Sequence, residues 1–153
     1  MLQSQRKTIR KMTGSRIMSE RIIVYTDGSV IDNGSEQSKC GWAVKLMYNG
    51  RAMLKSGKVR GYTNNQTEMY AVFKAMQSIH DKKVPVTIYS DSQYVIKTFN
   101  KEFQVGANEK MWKQLFDEAS KFDDIQFEWV RGHSSDQHNI KVDELSFKEA
   151  NDA

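Results

Sequence analysis

Short apolar, β-branched runs and longer stretches of helical spacing succeed one another along the chain in a pattern that predicts its elements. Arg21–Tyr25 is an apolar, β-rich run that halts at Asp27-Gly28-Ser29, a strand reaching a turn. A polar loop occupies residues 31–38, and Gly41–Tyr48 reads as a second strand. Asn49-Gly50 is a strong hairpin signal into a third strand at Arg51–Val59. Three consecutive strands predict an antiparallel meander.

Thr63-Asn64-Asn65-Gln66 supplies helix-starting chemistry, and Met69, Val72, Phe73, Met76 and Ile79 then recur at helical spacing. Asp81-Lys82-Lys83 ends that helix, and Pro85 precedes a short strand at Val86–Tyr89. Ser90 or Asp91 is placed to cap a helix bearing Tyr94, Val95, Lys97 and Thr98. Lys101–Asn108 reads as a loop, and Met111–Phe122 as a helix with Met111, Leu115, Phe116 and Ala119 inward. A fifth strand at Ile125–Val130, a loop at Arg131–His138 and a terminal helix at Asn139–Asn151 complete the chain. The order implies an α/β fold of the mixed α+β kind. Its five-stranded sheet would join the meander to two parallel strands, with helices on both faces. Asp27 would end a central strand and Asp91 would follow the end of its neighbour, where ligand sites gather in such sheets.

A chain of 153 residues, 39% of them apolar, is the size of one domain with a single core. No apolar stretch is long enough to span a bilayer, and the basic N-terminus lacks a secretory apolar core, so no membrane partner is expected. Cys40 stands alone, which excludes a disulfide framework or a cysteine-rich zinc site and fits a cytoplasmic setting. The net charge of +4 resides in residues 1–20, which carry Arg6, Lys7, Arg10, Lys11 and Arg16 against Glu20. Residues 21–153 are neutral, with 18 basic and 18 acidic side chains, so bulk charge makes no case for a nucleic-acid partner. The expected division is therefore a basic, flexible leader over 1–20 and one folded domain over 21–153. The leader reads as a solvated tail, with an electrostatic arm for a duplex or a translation start at Met18 as alternatives.

Four acids stand in recognisable settings: Asp27 after Val24-Tyr25-Thr26, Glu68 after Asn65-Gln66-Thr67, Asp91 after Ile88-Tyr89-Ser90, and Asp143 within Val142-Asp143-Glu144-Leu145. Each has an ordinary explanation. Asp91 suits a helix N-cap, Asp27 an Asp-Gly turn, Glu68 the first turn of a helix, and Asp143 an exposed helical position. Those explanations do not account for four acids at element ends that this topology would bring together. Converging carboxylates demand cations, and an all-oxygen site suits Mg2+ or Mn2+. Such a site is the skeleton of a two-metal phosphodiester hydrolase.

Thr26-Asp27-Gly28-Ser29, the run from Gly61 to Glu68, Tyr89-Ser90-Asp91-Ser92-Gln93-Tyr94-Val95, Trp129-Val130-Arg131-Gly132-His133 and Asn139 to Leu145 together resemble type 1 ribonuclease H. They occur in that family's order and cover the chain from about residue 21 onward. The resemblance implies a ribonuclease H-like fold and an endonuclease acting on the RNA strand of RNA–DNA hybrids, leaving 3′-hydroxyl and 5′-phosphate ends. It implies that Asp27, Glu68, Asp91 and Asp143 bind two Mg2+ ions, with Mn2+ able to substitute. His133 would assist proton transfer or product release. Asn64 and Asn65 would reach bases in the minor groove, and the backbone of Gly28 and Ser29 would meet RNA 2′-hydroxyls. Asn33, Thr63 and Asn108 would hold a DNA-strand phosphate, their alternatives being a loop polar residue and two helix caps. A monomer is expected. The chain lacks the tryptophan- and lysine-rich protrusion of some members; Lys97, Lys101, Lys110 and Lys113 are partial substitutes, and Arg60 is the nearest candidate for a missing phosphate-pocket arginine. A DNA-cutting transposase- or integrase-like nuclease on the same fold, and a non-catalytic hybrid-binding module or a domain detached from a reverse transcriptase, are the competing readings.

Overall fold

The computed structural model of the protein describes residues 20–32, 36–132 and 135–153; Asn33, His133 and residues 1–19 of the leader lie outside the described residues. The element order is β1 (Ile22–Ile31), β2 (Lys39–Tyr48), β3 (Arg51–Arg60), α1 (Asn64–Gln77), β4 (Val86–Ser90), α2 (Gln93–Phe99), α3 (Glu109–Ala119), β5 (Ile125–Trp129) and α4 (Gln137–Asp152). The sheet runs β3-β2-β1-β4-β5. Its first three strands form the antiparallel meander, and β4 and β5 join in parallel. Asn49 (φ 57°) and Gly50 (φ 77°) both take the left-handed conformation that a tight hairpin between β2 and β3 requires.

The two faces of the sheet are covered unequally. Val24, Val44 and Ile88 pack on one face with Met69, Val72 and Met76 of α1, Val95 and Ile96 of α2, and Trp112 and Leu115 of α3. The alternate residues Tyr25 and Ala43 face the other side, where Val142 and Leu145 of α4 cover them. Helices therefore lie on both faces, as expected, but among the described residues α4 is the one helix on its face. It comes unusually close. A Cβ added at Gly41 would collide with the Ser146 carbonyl and the Ala150 amide of α4, so glycine at this position is a condition of the packing.

Several boundaries differ from the sequence expectations, α1 stopping at Gln77 and β2 starting at Lys39 among them. The first strand continues through Asp27-Gly28-Ser29 to Ile31 because β2 pairs with it as far as Ile31↔Lys39. Asp27 therefore lies within a strand, and what ends beside it is the parallel partner, whose last pair is Thr26↔Ser90. The cap of α2 is Ser92, whose hydroxyl accepts from the Val95 amide at 3.2 Å; neither Ser90 nor Asp91 fills that role. Helix α3 ends at Ala119, and it buries Trp112 and Leu115, with Met111, Phe116 and Ala119 only partly covered. Trp112 is held inside because its indole N–H donates to the Tyr94 hydroxyl at 2.9 Å. Helix α4 starts at Gln137, capped by Asp136, which accepts from the amides of His138 and Asn139 and from the Tyr25 hydroxyl at 2.9 Å. No helix among the described residues is long and apolar enough to cross a membrane.

The approach of α4 at Gly41 carries a stability prediction. Gly41→Ala forces the helix off the sheet and should cost about 2 kcal/mol or more in urea unfolding. An unchanged midpoint would contradict the packing described.

Candidate active site

The parallel pair β1 and β4 ends at Thr26↔Ser90, so the next residue on each strand, Asp27 and Asp91, emerges side by side. Helix α1 crosses the same place and adds Glu68. One carboxylate oxygen from each of these three acids lies within 4.8 Å of the others. Asp27 and Glu68 are buried, 3% and 8% exposed, and Asp91 is half-buried. Asp143, on α4, bonds to Asp27 through its side chain but stands outside this trio.

Backbone geometry holds each acid in place. The Gly28 amide donates to Glu68 Oε1 at 2.9 Å. Any side chain at Gly28 would strike the backbone of Thr67, 2.8 Å from the position of its Cβ, so this glycine admits α1 against β1. Glu68 is the fifth residue of α1, beyond the first turn, which removes the helix-dipole explanation for it. The start of α1 is closed instead by a capping box between Thr63 and Gln66. Because Ser92 caps α2, Asp91 is not needed there. The Trp129 indole N–H donates to the Asp91 carbonyl at 3.1 Å, and a Cβ at Gly132 would sit 3.1 Å from Asp91 Oδ2. The strand β5 and the turn after it thereby frame this acid.

The electrostatics follow from burial. Desolvation pushes the Asp27 carboxyl far above the usual carboxylate range, reinforced by the charges of Glu68 and Asp91 and by the bond to Asp143. Glu68 is likewise raised, first by burial and then by Asp91, with the Gly28 amide opposing the shift. Three hard oxygen donors that repel one another in a poorly solvated place fit a divalent cation, whose charge offsets the cost of ionising them.

The remaining expected site residues divide. Asn64 and Asn65 are exposed at the start of α1, facing solvent beside the acids' helix. Thr63 is engaged as the cap: its hydroxyl accepts from the Gln66 amide at 3.2 Å. Asn108 stands at the N-cap of α3 in the left-handed conformation (φ 57°) without a side-chain capping bond. Its amide accepts from Gln66 at 3.0 Å and donates to Tyr94 at 3.2 Å, tying α1 to α2 and α3. Ser29 turns its hydroxyl toward Ser146 of α4 at 2.8 Å. Asn33 and His133 lie outside the described residues. Ser146 and Trp129 hold the site together through partners on other elements, Asp27 and Asp91, which local sequence pattern does not reveal.

Comparison with known proteins agrees with this geometry. The family model for RNase H matches residues 19–151. The ribonuclease H of Syntrophus aciditrophicus (strain SB) is 32% identical over 152 residues, covering 90% of this chain and 84% of that protein. The ribonuclease H of Chromobacterium violaceum is 30% identical over 142 residues, covering 84% and 94%. Among solved structures, RNase H1 of the halophilic archaeon Halobacterium salinarum superposes with a TM-score of 0.73 at 22% identity, covering 87% and 99%. LC11-RNase H1, solved in complex with an RNA/DNA hybrid, superposes with a TM-score of 0.72 at 18% identity, covering 86% and 98%.

The raised carboxyls set a pH dependence for the metal-free protein. At neutral pH the folded state retains protons that the unfolded chain, with carboxyls near their ordinary pKa of about 4, has released. The contribution of these carboxyls to stability is therefore greatest below that value and is lost as pH rises toward the raised native values. In EDTA the urea midpoint should fall between about pH 5 and about pH 8. Asp27→Asn should flatten this fall and raise the neutral-pH Tm by about 3 °C, the equivalent of about 1 kcal/mol in a domain of this size. A variant that keeps the wild-type profile would show that the acids do not repel as described.

Proposed function

The chain belongs to the RNase H family, and from that premise we propose the following reading: it is an endonuclease that hydrolyses the RNA strand of RNA–DNA hybrids, leaving 3′-hydroxyl and 5′-phosphate ends. The observation that carries the reading is the buried convergence of Asp27, Glu68 and Asp91 inside the region that the family model matches. The activity depends on a divalent metal.

We assign the ions as two Mg2+, with Mn2+ able to substitute. Asp27, Glu68 and Asp91 would hold them, and Asp143, bonded to Asp27, would complete the set. When bound, such ions supply Lewis acidity for the attacking water and charge neutralisation for the leaving 3′-oxygen. The chain's own contribution is to aim the carboxylates from two strands and two helices and to shield Asp27 and Glu68 from water. His133 would pass a proton or ease product release. The main chain at Gly28 and Ser29 would meet 2′-hydroxyls, the groups that mark RNA, and the exposed Asn64 and Asn65 would enter the minor groove. Asn33, Thr63 and Asn108 would hold a DNA-strand phosphate, but the capping bond of Thr63 and the two amide bonds of Asn108 favour structural roles for those two.

The hybrid must be held without a basic protrusion. Lys97 lies 5.4 Å from the Phe103 ring centroid and Lys101 4.1 Å from that of Phe116, which steadies both ammonium groups beside the loop between α2 and α3. Lys113 pairs with Asp117 and contributes less net charge. We take the working unit to be a monomeric, cytoplasmic domain over residues 21–153, preceded by a basic, flexible leader over 1–20.

A strand-labelled hybrid incubated with Mg2+, Mn2+ or EDTA, beside duplex DNA and duplex RNA, tests the reading. RNA-strand cuts confined to the hybrid and abolished by EDTA are expected; cleavage of duplex DNA but not of the hybrid would overturn it. Asp27→Asn and Asp91→Asn should each lower turnover about a thousandfold or more while hybrid binding persists. His133→Ala should slow turnover more than it weakens binding, and a wild-type rate would remove His133 from the mechanism.

A further inference from the structure

We propose that Ser146, backed by Ser29, is a positioning residue for the acid cluster: its hydroxyl grips one oxygen of Asp27 so that the carboxylate presents the other to the bound cation. The inference rests on the reading of Asp27 as a metal-binding carboxylate, and it goes beyond that reading by assigning a role to two side chains that touch neither metal nor substrate.

Ser146 is fully buried, and its hydroxyl lies within hydrogen-bond reach of three oxygens: Ser29 Oγ at 2.8 Å, the Asp143 carbonyl at 3.0 Å and Asp27 Oδ2 at 3.2 Å. A hydroxyl has a single proton to give. The carbonyl three residues back is the ordinary acceptor for a helical serine. Once a bound cation holds Asp27 ionised, its carboxylate is the stronger acceptor, because a charged partner roughly doubles the bond. In the Ser29–Ser146 pair either hydroxyl can donate. When Ser29 is the donor, the Ser146 proton is free for Asp27 Oδ2, and the bonds run from Ser29 through Ser146 to Asp27, each polarising the next.

The backbone is arranged for this contact. Ser29 follows Asp27 by two residues on β1, which puts both side chains on the same face. Ser29 is also the register partner of Gly41 on β2. Gly41 is where α4 comes down on the sheet, and a Cβ there would collide with the carbonyl of Ser146 itself. The missing side chain at 41 thus lowers the hydroxyl of Ser146 to within reach of β1. On α4, Ser146 lies three residues after Asp143, on the same side of the helix. One helix therefore brings to Asp27 both a fourth carboxylate and the group that fixes the rotation of the first.

The test is titration of the free protein with Mn2+ alone, by calorimetry, beside steady-state cleavage of the hybrid and metal-free melting. Ser146→Ala should weaken Mn2+ binding about tenfold, the usual scale for losing a partner that orients a ligand. It should lower kcat in Mg2+ by a similar factor, leave KM for the hybrid unchanged and leave the metal-free Tm close to wild type. Ser29→Ala should move Mn2+ affinity in the same direction by less, and the double variant should be no weaker than Ser146→Ala. Wild-type Mn2+ affinity in Ser146→Ala overturns the inference. If Asp27→Asn has lost Mn2+ in the same titration, the metal site itself stands; if Asp27→Asn also binds normally, the underlying reading of Asp27 falls too. Should Ser146→Ala fail to fold, Ser29→Ala decides the matter, and wild-type Mn2+ affinity there is the overturning result.

Discussion

Carboxylates that repel one another do not gather in a protein interior unless the surrounding structure compels them, and here it compels Asp27, Glu68 and Asp91 into mutual reach. Removing each from water is costly, and each ionised neighbour adds to the cost. Most of the molecule can be understood as the frame that resists this repulsion. The parallel pairing of β1 with β4 aligns two of the acids. The bare backbone at Gly28 lets α1 deliver the third. The indole of Trp129 pins the main chain of Asp91 from the opposite side.

The frame has two walls of different character. On the side of α1, α2 and α3 it is apolar and interlocked: Phe99 stacks on Phe127 with ring centroids 3.8 Å apart, Trp112 packs edge-on against Phe99, and the bonds from Gln66 through Asn108 and Tyr94 to Trp112 brace the helices. On the other side α4 is the one helix among the described residues, and its interface is rich in polar contacts. Tyr25 holds Asp136, Lys45 reaches His138 at 3.0 Å, and Ser29 meets Ser146. Directional bonds fix the angle of α4 more sharply than apolar packing alone would. This suits a helix that brings Asp143 and Ser146 to the acids.

What could be read from the chain alone was whatever local chemistry decides. The Asn49-Gly50 hairpin and the Thr63 start of α1 carry their signals within a few residues, and the apolar periods assign the core of each element. The end of β1 could not be read this way. Asp27-Gly28 carries a turn signal, and only the long antiparallel partner β2 overrides it. Asp91 resembled a helix cap because the competing cap, Ser92, is its neighbour and just as suitable. The motifs around Asp27, Glu68 and Asp91 pointed to one site, and the fold unites them, with Asp143 as an outer partner of Asp27. Ser146 left no trace in the pattern. A serine in a helix looks the same whether it bonds to its own carbonyl or across to another strand, and the difference lies in Gly41, more than a hundred residues away.

That dependence on α4 also bears on how the protein is made. In chain order β1, β2, α1 and β4 all precede Gln137–Asp152, the helix that covers Tyr25 and Ala43. A polypeptide halted before α4 would present a bare, β-rich surface and an acid cluster lacking its fourth carboxylate and its serine partner. Such a fragment resembles an aggregation-prone folding intermediate more than a weakened enzyme. The same helix that shields the sheet also finishes the acid site, so covering this face and assembling the centre are one packing event.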